Sequence, residues 1–215
     1  MLKDRDIRQR DIVPVGKLAN QTVSVIGVGA IGRQVATQLA AIGVPKVKIY
    51  DFDIVEIVNL AAQGFLESDL GLPKVEAVAK ICKAINSEIE ITPINARFKR
   101  SDDTRGIIFC CVDSIKTREF IWNAIKDDTF LFIDARMSAE TFRILTASKS
   151  DVDYYPTTLF QPEEAFTGSC TTKSTIFCAS IAAGMMIEQL ARWLRDIPTD
   201  QDLQFNLLSS EITVR

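Results

Sequence analysis

Hydrophobic residues occur along this chain in short runs that alternate with amphipathic stretches, and this alternation predicts the fold. Runs rich in β-branched and aromatic residues, which are typical of buried strands, occur at residues 22–26, 47–50, 89–94, 107–112 and 130–133. Stretches with apolar positions at helical spacing lie between them, at residues 31–42, 74–85 and 115–126. Strands that alternate with helices predict an α/β fold, with a Rossmann-like, largely parallel and doubly wound sheet that has helices on both faces.

The pattern changes after the fifth run, where the parallel part of the sheet is expected to end. The segments that follow predict a strand, a loop, a long helix and one or two edge strands, at residues 141–147, 148–170, 174–195 and 203–214. We expect residues 135–215 to be a C-terminal antiparallel extension, residues 1–20 an N-terminal arm, and residues 56–72 irregular. We expect all of these to belong to one domain that covers residues 1–215.

The composition is that of an ordinary soluble globular protein. Hydrophobic residues make up 47% of the 215 positions, charged residues make up 25%, and the net charge is −3. A chain with this charge balance has no bulk attraction for nucleic acid or for an anionic membrane, and no apolar run reaches the roughly 18 residues that span a bilayer. The first residues are charged and lack the apolar stretch of a signal peptide. We therefore expect a cytoplasmic protein without a nucleic-acid or membrane partner.

Histidine is absent and cysteines are few, which limits the chemistry open to the chain. Without histidine there is no Ser-His-Asp triad, no Cys-His dyad and no histidine metal ligand. The five cysteines are an odd number and include no C-x-x-C pair, which argues against a disulfide framework and against a structural zinc site. Any catalysis must therefore rest on carboxylates, lysines, arginines, backbone amides or a thiol.

The motif G-x-G-x-x-G occupies residues 27–32, between the first predicted strand and the first predicted helix. In this setting the glycines allow a tight turn, and the N-terminus of the helix attracts the negative charge of a phosphate. The motif, which ends at Gly32, therefore predicts a nucleotide site in which phosphates are held by the backbone amides at Gly27, Gly29 and Ala30.

Asp51 lies 19 residues beyond Gly32, at the end of the second predicted strand. An acidic residue at this place is expected to bind ribose hydroxyls. The glycine motif and Asp51 together fit NAD and ATP equally well, and Asp51 alone could instead be a solvated or helix-capping residue.

Residues further along the chain distinguish the two nucleotides. In order they are Asp51-Phe52-Asp53, Asn59-Leu60, Gln63, Gly71-Leu72-Pro73-Lys74, Ile85-Asn86, and Asp113 followed five residues later by Arg118. This ordered set resembles the ThiF/MoeB/HesA family of ubiquitin-activating-enzyme-like adenylyltransferases, and the resemblance runs from about Arg5 to Leu190.

The resemblance implies an ATP-dependent adenylyltransferase that activates the C-terminal carboxylate of a ubiquitin-like or sulfur-carrier protein ending in glycine. It implies that Lys74 places a positive charge beside the phosphates and that Asp113 binds Mg²⁺, which prefers hard oxygen ligands. It further implies neutral hydrogen bonds from Asn59 and Gln63, with Asp53 also at the nucleotide. Without the family, Lys74 could be an exposed helix residue and Asp113 could belong to the start of the next helix.

Two further roles implied by the family concern Arg8 and Cys170. Residues 5–9, Arg-Asp-Ile-Arg-Gln, resemble a family segment whose second arginine reaches into the ATP site of the partner subunit. Arg8 is thus the expected trans-acting residue of a homodimer, with Arg10 a close rival.

Cys170 lies 18 residues before Glu188, about where family members have a cysteine that forms a thioester or persulfide with the activated carrier. Alternatively, Cys170 only leads into the following helix.

Departures from the family pattern keep other functions open. Ala62 occupies the position where the family pattern has an arginine, so one expected phosphate contact is absent. The zinc-binding cysteine pairs found in many members are also missing. The alternatives are adenylation of another carboxylate or of a modified nucleoside, a nucleotide-binding scaffold without catalysis, and an NAD-dependent oxidoreductase. The last of these has no need for Lys74 at the start of the third helix.

Overall fold

One eight-stranded sheet organises the residues that the structure describes. The structure is a computed structural model and describes residues 5–102, 105–148, 153–160 and 174–215. The strands are β1 (Val23–Ile26), β2 (Lys46–Asp51), β3 (Glu90–Asn95), β4 (Gly106–Cys110), β5 (Thr129–Ser138), β6 (Thr141–Ser148), β7 (Asp202–Asn206) and β8 (Glu211–Val214). The helices are α1 (Ala30–Ile42), α2 (Ile57–Gln63), α3 (Lys74–Ile85), α4 (Ile115–Ile125), α5 (Tyr154–Thr157) and α6 (Ile176–Leu194), with 3₁₀ turns at Val15–Leu18 and Glu67–Asp69.

The strand order across the sheet is β3-β2-β1-β4-β5-β6-β7-β8. Neighbouring strands from β3 to β5 are parallel, and the pairs from β5 to β8 are antiparallel. The predicted Rossmann-like sheet with an antiparallel C-terminal extension is therefore confirmed. The strand order reverses between β1 and β4, and in sheets of this kind ligands bind in the crevice at the carboxyl ends of those strands.

The structure differs from the sequence prediction in three segments. Residues 56–72, expected to be irregular, contain α2 and the turn at Glu67–Asp69. β5 extends to Ser138 because it pairs along its length with β6, through a turn at Ala139, which has a φ of 54°. The predicted loop at 148–170 contains α5, and much of the remainder lies outside the described residues.

The core lies on both faces of the sheet, as expected for helices that cover both sides. Val25, Phe109 and Ile133 face the larger cluster, which contains residues from α1, α3 and α6. Their neighbours in sequence face the smaller cluster around α4 and α5, in which the rings of Trp122 and Tyr155 are 4.8 Å apart. Although α6 is largely apolar, no helix in the described ranges combines the length and apolarity needed to cross a membrane.

The N-terminal arm is attached to the C-terminal ends of two helices. The guanidinium of Arg5 donates to the carbonyl oxygens of Ala40 in α1, at 3.0 Å, and of Ile85 in α3, at 3.1 Å. Gln9 donates to the carbonyl of Ile42, also at 3.0 Å. The last carbonyls of a helix lack intrahelical partners and carry partial negative charge, so a cationic donor is favoured there. The arm is thus held at the end of α1 opposite to the glycine motif.

A second polar network ties α5 to the antiparallel extension. Arg143 on β6 donates to both carboxylate oxygens of Asp202 on β7, at 2.9 and 2.6 Å, and the hydroxyl of Tyr154 donates to the same carboxylate at 2.7 Å. Burial alone raises the pKa of Asp202, but the hydrogen bonds from Arg143 and Tyr154 outweigh it, so the pKa of this carboxyl is lowered.

Candidate functional site

The glycine motif forms a turn that has no room for side chains at its first and last glycines. Gly27 has a φ of +85°, in the left-handed region, and a Cβ there would lie 2.8 Å from the carbonyl oxygen of Cys111. A Cβ at Gly32 would lie 1.9 Å from the carbonyl oxygen of Gly27. These contacts bring the first turn of α1 directly against the end of β1, so both positions require glycine.

The backbone amides of the turn are used in two different ways. The amide of Gly27 donates to the carbonyl of Tyr50 at 2.8 Å, so it is not available to a ligand, and the role expected for it is corrected: Gly27 contributes the turn. The amide of Val28 donates to Asp51 Oδ2 at 2.8 Å. The amides from Gly29 to Gly32 lie at the start of α1, where no intrahelical partner exists and no side chain caps the helix. They form the part of the motif that can receive an anion.

Asp51 and Asp53 connect the end of β2 to the glycine turn and to α3. Besides binding the amide of Val28, Asp51 accepts a hydrogen bond from the amide of Asp53 at 2.9 Å. Each of its oxygens retains a lone pair, so ribose hydroxyls remain possible donors to it. Asp53 Oδ2 lies 2.9 Å from Lys74 Nζ. The Lys74 side chain is only 8% exposed, so Lys74 is not an exposed helix residue, and its place beside the phosphates stays a prediction.

The short helix α2 carries two amide side chains, of which Gln63 lies beside the turn. The Oδ1 atom of buried Asn59 accepts a hydrogen bond from the amide of Glu56 at 2.9 Å, which leaves its NH₂ group as a donor. Gln63 lies against Gly29, because a Cβ at Gly29 would be 3.7 Å from Gln63 Oε1. That oxygen is buried and has no hydrogen-bond partner among the residues that the structure describes. A buried acceptor without a partner is rare in native proteins, and here it lies beside the amides that remain open.

Asp113 follows the end of β4, on the other side of the turn from β2. Cys110 pairs with Ile26 of β1, and the amide of Cys111 donates to the carbonyl of Ile26 at 2.8 Å, so this segment runs beside the glycine turn. The Asp113 side chain is exposed and forms no hydrogen bond or ion pair with any residue in the described ranges. The adjacent Ser114, rather than Asp113, accepts the capping hydrogen bond from Thr117 in α4. Among the residues that the structure describes, Asp113 is therefore an unpaired carboxylate after the end of β4.

Arg33, in the first turn of α1, is a buried cation beside the end of α2 that the sequence analysis did not single out. It is 7% exposed, and its guanidinium carbon lies 5.3 Å from the centre of the Phe65 ring. Burial lowers the pKa of Arg33, and the nearby charge of Asp69 opposes this effect. A Cβ at Gly64, directly after α2, would be 3.2 Å from Arg33 Nη1. The only signal in the sequence was a cation among the small and apolar residues of α1.

The described cysteines have the properties of structural residues. Cys82, Cys110 and Cys178 are buried, and all four described cysteines are free. Burial raises the pKa of Cys110 to about 11 and that of Cys111 to about 12, so neither thiol is a ready nucleophile near neutral pH. Cys170 lies outside the described residues, and its role stays a prediction.

Arg8 is not part of the site within one chain. It is exposed and lies between Arg5 and Gln9, which bind the C-terminal end of α1. Since α1 has 13 residues, its two ends are about 18 Å apart. Arg10, its rival, is paired with Asp6 at 2.8 Å. Arg8 can thus reach a glycine turn only in a second copy of the chain.

The fold is that of a Rossmann-like α/β domain with an uncapped glycine turn after β1, and Lys74 and Asp113 lie beyond β2 and β4, the strands on either side of β1. The chain belongs to the ThiF family, whose model matches residues 4–214. It is 34% identical over 88 residues to the SAMP-activating enzyme E1 of Haloferax volcanii, an alignment that covers 40% of this chain and 33% of that protein. It is 35% identical over 108 residues to the molybdopterin-synthase adenylyltransferase of Salmonella typhimurium, covering 47% of this chain and 43% of that protein.

Solved structures show the same fold. E. coli MccB, crystallised with AMPCPP and MccA, superposes with a TM-score of 0.74 over 100% of this chain and 71% of its own, at 17% sequence identity. At this identity the likeness shows the fold alone. The matched stretch spans less than half the length of the two curated relatives, so their activities are not transferred by similarity alone.

Replacing Gly32 or Gly29 by alanine separates the two uses of glycine in the turn. Gly32→Ala forces a methyl group against the Gly27 carbonyl, so we expect it to lower the free energy of unfolding by about 1–3 kcal/mol or more. Gly29→Ala meets nothing closer than 3.7 Å, so it should fold like the wild type but bind ATP more weakly, because its methyl group narrows the approach to the open amides. Thermal unfolding and titration calorimetry measure the two effects. A Gly32→Ala protein as stable as the wild type would contradict the assignment, as would undiminished ATP binding by Gly29→Ala.

Proposed function

We propose that this protein is an ATP-dependent adenylyltransferase that activates the C-terminal carboxylate of a ubiquitin-like or sulfur-carrier protein. The observation that carries the proposal is the uncapped start of α1 after β1, together with a cation, Lys74 paired with Asp53, beyond β2 and a carboxylate, Asp113, beyond β4. A dehydrogenase, which transfers hydride, needs neither group. The family membership and the names of the two curated relatives, an activating enzyme and an adenylyltransferase, support the same reaction.

The residues present fit a nucleotide and a divalent cation. The amides from Gly29 to Gly32 provide donors for phosphate oxygens, and the side-chain amide of Gln63, whose NH₂ group can also donate, lies beside them. The exposed carboxylate of Asp113 is a hard oxygen ligand of the kind Mg²⁺ prefers, usually one or two carboxylates together with phosphates. When bound, Mg²⁺ neutralises part of the charge on the phosphates.

In the proposed reaction an oxygen of the acceptor carboxylate attacks the α-phosphorus of ATP, the bond from that phosphorus to the bridging oxygen breaks, and pyrophosphate leaves with the electron pair. The protein acts by positioning and by charge, as is typical of reactions at phosphorus. Lys74, oriented by Asp53, offsets negative charge on the phosphates. Asp51 binds the ribose, and the NH₂ group of Asn59 donates a neutral hydrogen bond.

A homodimer completes the site in this proposal. Exposed apolar side chains occur on the arm, at Ile7 (61% exposed) and Ile12 (56%), and on α2, at Ile57 (75%) and Val58 (69%). Since α2 lies beside the glycine turn, an arm packed on the α2 of a second copy brings Arg8 close to that copy's phosphates. Cyclic dimers, in which each subunit uses the same patch, are the commonest oligomers.

Three further parts of the proposal rest on the sequence. Cys170 serves as the thiol that receives the activated carrier after adenylation. Residues 1–215 act as one domain, and the protein works in the cytoplasm.

Ala62 favours a competing function, a nucleotide-binding scaffold, because the phosphate contact expected from the family is missing there. Exchange of labelled pyrophosphate into ATP decides between the two, since a scaffold catalyses none.

Lys74→Ala and Asp113→Ala are each expected to slow ATP–pyrophosphate exchange by about 100- to 1,000-fold, because one preorganised charge contact contributes about 2.7–4 kcal/mol to the transition state. Matched controls are Lys80→Ala, an exposed lysine of α3, and Asp127→Ala, an exposed carboxylate after α4. The controls should exchange at the wild-type rate, and circular dichroism should show all four variants folded. Near-wild-type exchange in either site variant removes that residue from the mechanism.

Mixing Arg8→Ala with Asp113→Ala subunits tests whether Arg8 acts in trans. Each variant alone should be nearly inactive. A heterodimer contains one site in which both residues are intact, so random exchange of subunits should restore about one quarter of wild-type activity. Arg10→Ala is the matched control and should remain active. If the mixture never exceeds the separate variants after mass spectrometry has shown subunit exchange, Arg8 does not act on the partner's site.

A further inference from the structure

Arg118 joins the segment that presents Asp113 to the interior of the protein. Its side chain is 4% exposed and lies in the first turn of α4. One Nη atom donates to the carbonyl oxygen of Val112, the residue directly before Asp113. The other forms an ion pair with the carboxylate of Asp134 on β5. A single guanidinium therefore connects the backbone at the end of β4 to the neighbouring strand.

Asp134 is in turn fixed by groups from other elements. It is fully buried and accepts hydrogen bonds from Arg136 Nε at 2.9 Å and from the hydroxyl of Tyr155 in α5 at 3.1 Å. Arg136 also donates to the carbonyl of Thr158 at 2.7 Å. A buried carboxylate with this many donors has one orientation, and the orientation of Arg118 follows from it.

The backbone around Asp113 is thus held on both sides, while its side chain is free. The amide of Cys111 binds β1, the carbonyl of Val112 binds Arg118, and the hydroxyl of Ser114 accepts from the amide of Thr117 at 3.4 Å. No described residue holds the carboxylate of Asp113 itself. A free ligand on a rigid backbone is the arrangement that binds a cation without first ordering the chain.

We propose that the Arg118–Asp134 ion pair positions Asp113 and so sets the affinity of the site for its divalent cation. The inference rests on the proposed function for the role of Asp113. The competing account is that the ion pair only stabilises the contact between β4 and β5, as the Arg143–Asp202 pair stabilises that between β6 and β7.

These two ion pairs supply the test and its control. Arg118→Lys and Asp134→Asn are compared with Arg143→Lys and Asp202→Asn, which disturb a similar pair between β6 and β7, two strands that do not pair with β4. Two quantities are measured: the free Mg²⁺ concentration for half-maximal pyrophosphate exchange at fixed ATP, and hydrogen–deuterium exchange of the amides of residues 111–117 in the protein without nucleotide. The second quantity does not depend on activity.

The Arg118 and Asp134 variants should need at least about 10-fold more Mg²⁺ for half-maximal pyrophosphate exchange, which is the usual effect of losing a residue that orients a metal ligand. Their amides at residues 111–117 should also exchange with deuterium faster than those of the wild type. Their activity should recover at saturating Mg²⁺. The control variants should show neither change, even where they lower stability. If the Arg118 and Asp134 variants lose stability with unchanged Mg²⁺ dependence and unchanged amide exchange, the pair is only structural and the proposal is overturned.

Two further results also test the proposal. If Asp134→Asn does not fold, Tyr155→Phe removes one hydrogen bond to Asp134, and the proposal then requires a smaller shift in the same direction. If the wild type shows no pyrophosphate exchange at any Mg²⁺ concentration, the proposed function fails. Hydrogen–deuterium exchange of the amides of residues 111–117 still decides whether Arg118 holds the segment, because an unchanged rate in the variants overturns that claim by itself.

Discussion

The close approach of α1 to the end of β1 determines the geometry of the whole crevice. The Gly27 carbonyl lies where a Cβ of residue 32 would be, so the first turn of α1 begins against the sheet and its amides open toward the carboxyl ends of the strands. Every other group in the site is placed relative to this contact. Asp51 reaches it through the amide of Val28, and Asp113 follows the strand that packs against Gly27. A larger residue at either glycine would displace both.

The charges around the turn show a division between groups that are satisfied within the protein and groups that are left open. Asp51 is bound by backbone amides and Asp53 by Lys74, so these carboxylates organise the site. Among the described residues, the groups left open are the amides at the start of α1, the buried oxygen of Gln63 and the carboxylate of Asp113. The amides can donate hydrogen bonds to an anion, and the carboxylate can bind a cation. This division supports the proposed binding of a nucleotide together with its cation.

Much of this could be predicted from the sequence, because β1 and β4 are short, fully buried runs and the glycine turn has a fixed spacing. The helix over 74–85 was predicted with its observed bounds. The helix α2 was missed because Ile57 and Val58 point to solvent, which removes the amphipathic pattern. The bond that occupies the Gly27 amide depends on the register of β1 with β2, which no local motif encodes. Likewise, the link from Arg118 to Asp134 joins residues on different elements, so it appears only once the chain is folded.

Titration calorimetry of the wild-type protein with ATP and with NAD, each in the presence of Mg²⁺, shows which nucleotide the crevice accepts. We expect ATP to bind and NAD to give no measurable heat of binding, because Lys74 and Asp113 serve a triphosphate and its cation. Removing Mg²⁺ should weaken the binding of ATP. Tighter binding of NAD than of ATP would contradict the account.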